Sequence, residues 1–209
     1  MIVPALLTDN REKLIEMLDI CAGFTDYAQI DIMDGEFVPS LSVGRPELGG
    51  LKLPLSCEAH LMVSRPLDWF EALGKIGIKK LIYHFEIQAE HKNILSEIKR
   101  AGLGAGIAVN PDTKISEFEF LLEGTDTVLF MAVNPGFYGS PFIPGVLEKI
   151  KAFKKKFPKV HTGIDGGVKL DNLIEVRDSG VDYICVGSAI FKEKNPRLAF
   201  EKFQRIANG

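Results

Sequence analysis

Short apolar runs rich in β-branched residues recur along the whole chain, and each gives way to a longer stretch with helical spacing. The runs are Ile2–Leu6, Tyr27–Met33, Cys57–Val63, Lys80–Phe85, Gly104–Val109, Thr127–Val133, Val160–Ile164 and Asp182–Val186. They are nearly continuous in their apolar character, as parallel strands are when both faces are covered. Strict alternation of strand and helix is the mark of parallel βα units. Eight such units within 209 residues favour a closed (β/α)8 TIM barrel, in the α/β class, over an open sheet. No Pro/Gly/Ser linker or low-complexity segment divides the chain, so residues 1–209 are expected to form a single domain. That length is near the lower bound for the fold, so the loops should be short.

Local signals support the helices. Lys13-Leu14-Ile15-Glu16-Met17-Leu18 has its apolar residues at helical spacing. Ser116 with Glu119 reads as a capping box. Asn195 before Pro196 reads as an N-cap followed by proline at the first helical position. Ile76-Gly77, Ala101-Gly102 and Ser179-Gly180 read as helix stops with a left-handed glycine.

Composition narrows the class of partner. Hydrophobic residues make up 46% and charged residues 25%, which is ordinary for a globular protein in water. A net charge of -3 argues against a nucleic-acid surface or an anionic membrane. MIVPALLTDN lacks the basic region of a signal peptide, and no run approaches the ~20 apolar residues of a membrane span. Cys21, Cys57 and Cys185 are far apart in apolar contexts with no CxxC pair. Buried free thiols in a reducing cytoplasm are the simplest reading.

In a barrel of this type chemistry sits at the C-terminal ends of the strands, and polar residues gather there. Strand two carries Gln29, Asp31 and Asp34, strand three Glu58 and His60, and strand four His84 and Glu86. Asn110, Asn134, Asp165 and Ser188 end strands five to eight. Period-two alternation puts Gln29, Asp31 and Met33 on one strand face and Glu58, His60 and Met62 on another. Taken singly, each has a structural explanation: an aspartate as a cap, a histidine as a bonded core residue, Met33, Met62 and Met131 as gap fillers. Their joint occurrence at one end favours a site. Glycine-rich turns follow strands six, seven and eight: Asn134-Pro135-Gly136-Phe137-Tyr138-Gly139, Asp165-Gly166-Gly167 and Gly187-Ser188. Glycine lets backbone amides approach an anion, and barrels often bind phosphate at the loops after strands seven and eight.

The segments QIDIMDGEFVPSLSVG, CEAHLMVSRP, YHFE, FMAVNPGFYGSPFIP, GIDGGV and VGSAIF resemble, in order and along essentially the whole chain, the ribulose-phosphate 3-epimerases. Glu58-Ala59-His60-Leu61-Met62-Val63 does not carry the Asp-x-Lys-x-x-Asp motif of the related phosphate-barrel decarboxylases. The resemblance implies a ribulose-phosphate-binding barrel that interconverts ribulose 5-phosphate and xylulose 5-phosphate by two-base proton transfer at C3 through an enediolate. Asp31 and Asp165 would be the acid/base pair. Gln29, Asp31, His60 and Asp165 would stand at the positions of a divalent metal's ligands, with zinc, manganese, iron or magnesium as the cofactor. Met33, Met62 and Met131 would ring the reacting carbons, with His60 also facing substrate. Gly136, Phe137, Tyr138, Gly139, Gly166, Gly167, Gly187 and Ser188 would bind the sugar phosphate. A cytoplasmic homo-oligomer is expected, with no nucleic-acid or membrane partner.

Three positions depart from the family pattern. Gln29 replaces a histidine, Ala5 a serine that touches substrate, and Tyr138 a glycine of the phosphate loop. An amide oxygen is a harder, weaker ligand than imidazole. Gln29 therefore either weakens the metal site and turns it toward oxygen-preferring ions, or only hydrogen-bonds Asp31 or Asp165 with no metal bound. An allulose 6-phosphate 3-epimerase, another ketose-phosphate epimerase, and a catalytically weak sugar-phosphate-binding barrel are the alternative readings.

Overall fold

A computed structural model describes residues 1–136 and 140–209. The phosphate-loop candidates Phe137, Tyr138 and Gly139 lie outside the described residues. Strands β1 (Ile2–Leu6), β2 (Tyr27–Met33), β3 (Ser56–Met62), β4 (Lys80–His84), β5 (Gly104–Val109), β6 (Thr127–Met131), β7 (His161–Asp165) and β8 (Tyr183–Val186) alternate with helices. The helices are α1 (Arg11–Ala22), α2 (Arg45–Leu48), α3 (Phe70–Ile76), α4 (His91–Arg100), α5 (Ile115–Phe118), α6 (Gly145–Lys156), α7 (Leu173–Asp178), α8 (Ser188–Phe191) and α9 (Pro196–Asn208). All strand pairs are parallel, and β8 closes on β1 through Ile2, Val3 and Pro4 beside Ile184, Cys185 and Val186. The expected barrel is present, with strand limits within a residue or two of those read from the sequence. Among the described residues no helix is long and apolar enough to cross a membrane.

Alternation along the strands divides the apolar residues into two cores. Outward residues such as Ile30, Leu61, Ile107 and Phe130 pack under the helices. Inward residues Val3, Ile82, Leu129, Met131 and Tyr183 fill the barrel itself. The in-register pairs Gln29 with Glu58, Asp31 with His60, and Met33 with Met62 place all six on the inner face, as the alternation implied.

The helix ends follow local chemistry. Asn195 Oδ1 accepts from the Leu198 amide at 3.1 Å. Gly77, Gly102 and Gly180 take left-handed backbone with φ of 85°, 75° and 84°. The Ser116–Glu119 capping box is not formed. Helix α5 begins at Ile115, and Glu117 instead accepts from the Lys114 amide at 2.7 Å. Ser116 and Glu119 have the same spacing, but with Lys114 as the cap Ser116 already lies inside α5, where no free helix start is left for it to close.

Glu58 is also corrected. It does not join the C-terminal mouth but lies at the opposite end of the barrel, fully buried. There it accepts from the Tyr27 hydroxyl at 2.8 Å and pairs with Lys80 at 3.0 Å. Its strand position explains this: Glu58 precedes His60 by one inward step, toward the N-terminal end.

The bottom of the barrel is filled by Tyr183, which lies across Gly163. A methyl on Gly163 would stand 2.2 Å from the Tyr183 ring. Gly163→Ala is therefore expected to destabilise by about 1–3 kcal/mol, the usual cost of overpacking. Adding Tyr183→Leu should recover part of that loss. Urea unfolding of the single and double variants checks it, and equal stability of Gly163→Ala and wild type would contradict the packing.

Candidate active site

Strands β2, β3 and β7 bring Asp31, His60 and Asp165 to one mouth. All three line a cavity of about 280 Å³ with Met33, Met62 and Met131. Gly136, Gly166, Gly167, Gly187 and Ser188 line it as well. Gln29 lies beneath them, fully buried.

Two nitrogens hold the carboxylates together. Gln29 Nε2 donates to Asp31 Oδ1 and Asp165 Oδ2, each at 2.8 Å. His60 Nδ1 lies 3.2 Å from the same two oxygens. The Gln29 oxygen faces away and accepts from the Cys185 thiol at 3.2 Å.

The environment separates the proton affinities. Burial, followed by the nearby Asp165 charge, raises Asp31 to about 6, against the lowering effect of His60 and Gln29. For Asp165 burial also acts upward, but hydrogen bonds from His60, Gln29 and the Gly166 amide outweigh it and hold the carboxyl below its usual range. Burial lowers the affinity of His60, yet the two carboxylates prevail and raise it to about 9. Behind it, desolvation drives His84 down to about 4.

Glycine is required at the rim. Gly166 has φ of 106°, and a Cβ there would stand 2.5 Å from Val133; Gly136 has φ of 96° and would meet Val38 at 2.6 Å. Asp34 is a turn former rather than a site residue. Its carboxylate accepts from the amides of Glu36, Phe37 and Ser64 at 2.9, 2.8 and 2.6 Å and from the Ser64 hydroxyl at 2.9 Å. Asn134 is exposed and, like Asn110, does not line the cavity. The cavity adds Thr8, Lys13, Cys185 and Lys192, which sequence reasoning did not place in the site. For Cys185 a signal existed: it stands two residues before Gly187 and so shares its strand face. Nothing local marked Lys13.

A family-wide profile described as the Ribulose-phosphate 3 epimerase family matches residues 1–191. A ribulose-phosphate 3-epimerase of Mycobacterium leprae is 32% identical, covering 99% of this chain and 95% of its own. One from Helicobacter pylori is 33% identical, covering 98% and 97%. The chain belongs to the ribulose-phosphate 3-epimerase family. The rice cytoplasmic isoform of that enzyme is 32% identical, with 100% of this chain and 94% of its own covered. Among solved structures, 3-hexulose-6-phosphate synthase from Salmonella typhimurium superposes with a TM-score of 0.75 at 14% identity, over 99% and 98% of the two chains. Orotidine 5'-phosphate decarboxylase from Pyrococcus horikoshii gives 0.68 at 18%, over the whole of both. At such identities these two show a shared barrel and nothing more.

The epimerase family implies a divalent metal, and the residues here fit one. Asp31, His60 and Asp165 each offer one ligand atom, all within 4.8 Å of one another. Two carboxylate oxygens and an imidazole nitrogen suit a divalent cation. Gln29 does not complete that set as it stands. It turns its amino group, a donor, toward the carboxylates, and would ligate only after its amide turned over.

The Asp34 turn yields a test. Burial alone would raise this carboxyl, but the surrounding N–H and O–H donors outweigh it and hold it below its usual range. A depressed folded-state value stabilises above the ordinary carboxyl pKa and is lost as pH falls through the folded value. Asp34→Asn should lower stability by about 1 kcal/mol at neutral pH. The gap from wild type should close as pH falls below the ordinary carboxyl range. Urea unfolding across that range reads it; a gap that widens in acid would contradict the assignment.

Proposed function

We propose that this chain interconverts ribulose 5-phosphate and xylulose 5-phosphate by inverting C3, with Asp31 and Asp165 as the acid/base pair. The observation that carries the reading is two buried carboxylates converging on one cavity from separate strands, with their proton affinities pushed apart. C3 lies next to the C2 carbonyl, so its proton can leave if the resulting enediolate is stabilised. Inversion then needs one carboxyl to take the proton on one face and another to return one on the opposite face. A pair of unequal affinity supplies an acid and a base together near neutral pH.

The other cavity residues support a sugar phosphate as substrate. Met33, Met62 and Met131 give a soft apolar wall that can face a planar intermediate without competing for its protons. Gly166, Gly167, Gly187 and Ser188, with Gly136, Phe137, Tyr138 and Gly139, are the proposed phosphate contacts; bare backbone lets amides approach an anion. Lys192 and Lys13 add positive charge beside them. A divalent cation held by Asp31, His60 and Asp165 would act as a Lewis acid toward the C2 carbonyl. We place the protein in the cytoplasm as a homo-oligomer.

Asp31→Asn and Asp165→Asn should each fold normally and lose at least about 10²-fold in kcat. Exchange of the C3 proton with D₂O can survive in one of them, since one carboxylate remains. A coupled assay with ribulose 5-phosphate and allulose 6-phosphate side by side measures the rate and reads the carbon number. Near-normal epimerisation by Asp165→Asn would remove its assigned role.

Gln29→His should tighten manganese or zinc binding by about 10-fold or more, the order found for changes around a metal's ligands. Metal titration of both proteins decides this. No gain in affinity, with wild type fully active after chelation, would mean that hydrogen bonds alone hold Asp31.

A further inference from the structure

Strand β4 sets a second histidine behind the first, and the proposed reaction does not use it. His84 is fully buried, and its Nε2 lies 3.0 Å from Nε2 of His60. The ring centres are 5.1 Å apart with 26° between the planes, so the rings meet edge to edge through these nitrogens. On its other side His84 Nδ1 lies 3.2 Å from Glu86 Oε2. The second oxygen of Glu86 accepts from the Asn110 amide at 2.7 Å and from the Thr113 hydroxyl.

Counting donors and acceptors along this line leaves one arrangement. An ionised carboxylate only accepts, so His84 Nδ1 carries a proton toward Glu86. A neutral imidazole has one proton, so His84 Nε2 presents a lone pair. Two lone pairs 3.0 Å apart would repel, and the proton of that contact therefore belongs to His60 Nε2. The other nitrogen of His60, Nδ1, faces Asp31 and Asp165; by the same rule it too carries a proton there, one that a bound cation would displace.

We propose that His84 and Glu86 are positioning residues that keep a proton on His60 Nε2 and so reserve Nδ1 for the Asp31–Asp165 pair and for a divalent cation bound with it. The inference rests on the reading of Asp31, His60 and Asp165 as the reaction centre. Outer partners of a ligating histidine commonly set its tautomer and orientation in this way.

Glu86→Gln tests it, because the Asn110 amide and Thr113 hydroxyl both donate and will retain the carboxamide oxygen. Its amino group then faces His84 Nδ1, which must accept. His84 Nε2 takes the proton, His60 Nε2 loses its own and must accept, and the one proton left on His60 is held at Nδ1, where a cation can no longer displace it and leave Nε2 protonated. The readouts are ¹⁵N spectra of histidine-labelled protein, with and without zinc, and zinc affinity by chelator competition. In wild type His60 Nε2 should be protonated in both states. In Glu86→Gln it should be unprotonated without zinc, and zinc should bind about 10–100-fold more weakly, with an unchanged far-UV spectrum. His84→Phe keeps a ring but removes the acceptor, and should also weaken zinc. An unprotonated Nε2 in wild type overturns the inference, as does unchanged zinc affinity in both variants. The spectra need no turnover. A wild type without epimerase activity would therefore count against the catalytic reading, while the tautomer assignment is still decided by its own signal.

Discussion

Asp31 and Asp165 place two like charges within hydrogen-bond reach of a single imidazole nitrogen, nearly sealed from water. An isolated buried carboxylate is costly, and two together are more so. The polar interior of the upper barrel is the answer to that constraint. Gln29 donates to both carboxylates through one amino group, which is possible because a primary amide nitrogen carries two protons. It satisfies both acceptors and adds no charge. His60 supplies the positive character between them, and His84 with Glu86 holds His60 from behind. Each member of this line depends on its neighbour for its hydrogen-bond role, so the cluster is rigid where a two-faced proton transfer needs rigidity.

The two ends of the barrel solve similar problems differently. At the lower end Glu58 has its own cation, Lys80, and its own hydroxyl donor, Tyr27. The Lys80 ammonium also lies 5.8 Å from the Tyr27 ring centre and 5.3 Å from that of Tyr183. One carboxylate matched with one cation makes a cross-strand tie. At the upper end two carboxylates share donors and face an open cavity lined by methionine and glycine. That surplus of negative charge is what gives the upper end an appetite for protons and cations. The contrast also shows why the barrel by itself carries no reaction: the same strands hold both clusters and each borders a pocket, about 280 Å³ above and about 290 Å³ below, so the side chains and not the barrel decide the chemistry.

Much of this was legible in the sequence because it depends on short periods. Strand and helix alternation specified the barrel, and period-two alternation put Asp31, Met33, His60 and Met62 on inner faces. Asn195, Gly77, Gly102 and Gly180 marked helix ends through their own backbone preferences. Where reading failed, the deciding information was non-local or depended on exact phase. Glu58 and His60 share a face, so alternation could not say that one stands at the bottom and the other at the mouth. Ser116 and Glu119 have the spacing of a capping box, but the start of α5 was decided by Lys114 and Glu117. Lys13 came to the cavity through the docking of α1, which no residue near it announces.

The sequence by itself determined that the chain would close as a parallel barrel, that Asp31, His60 and Asp165 would stand at strand ends, and that glycine would line the rim. These follow from local sterics and from where each side chain falls in a repeat. Only the tertiary structure decided what Gln29 does. Its partners are two residues away and 136 residues away, and whether its nitrogen or its oxygen faces them depends on Cys185, a residue of yet another strand. The amide dipole has a direction, and closure of the barrel is what brings together the acceptors on one side and the thiol on the other.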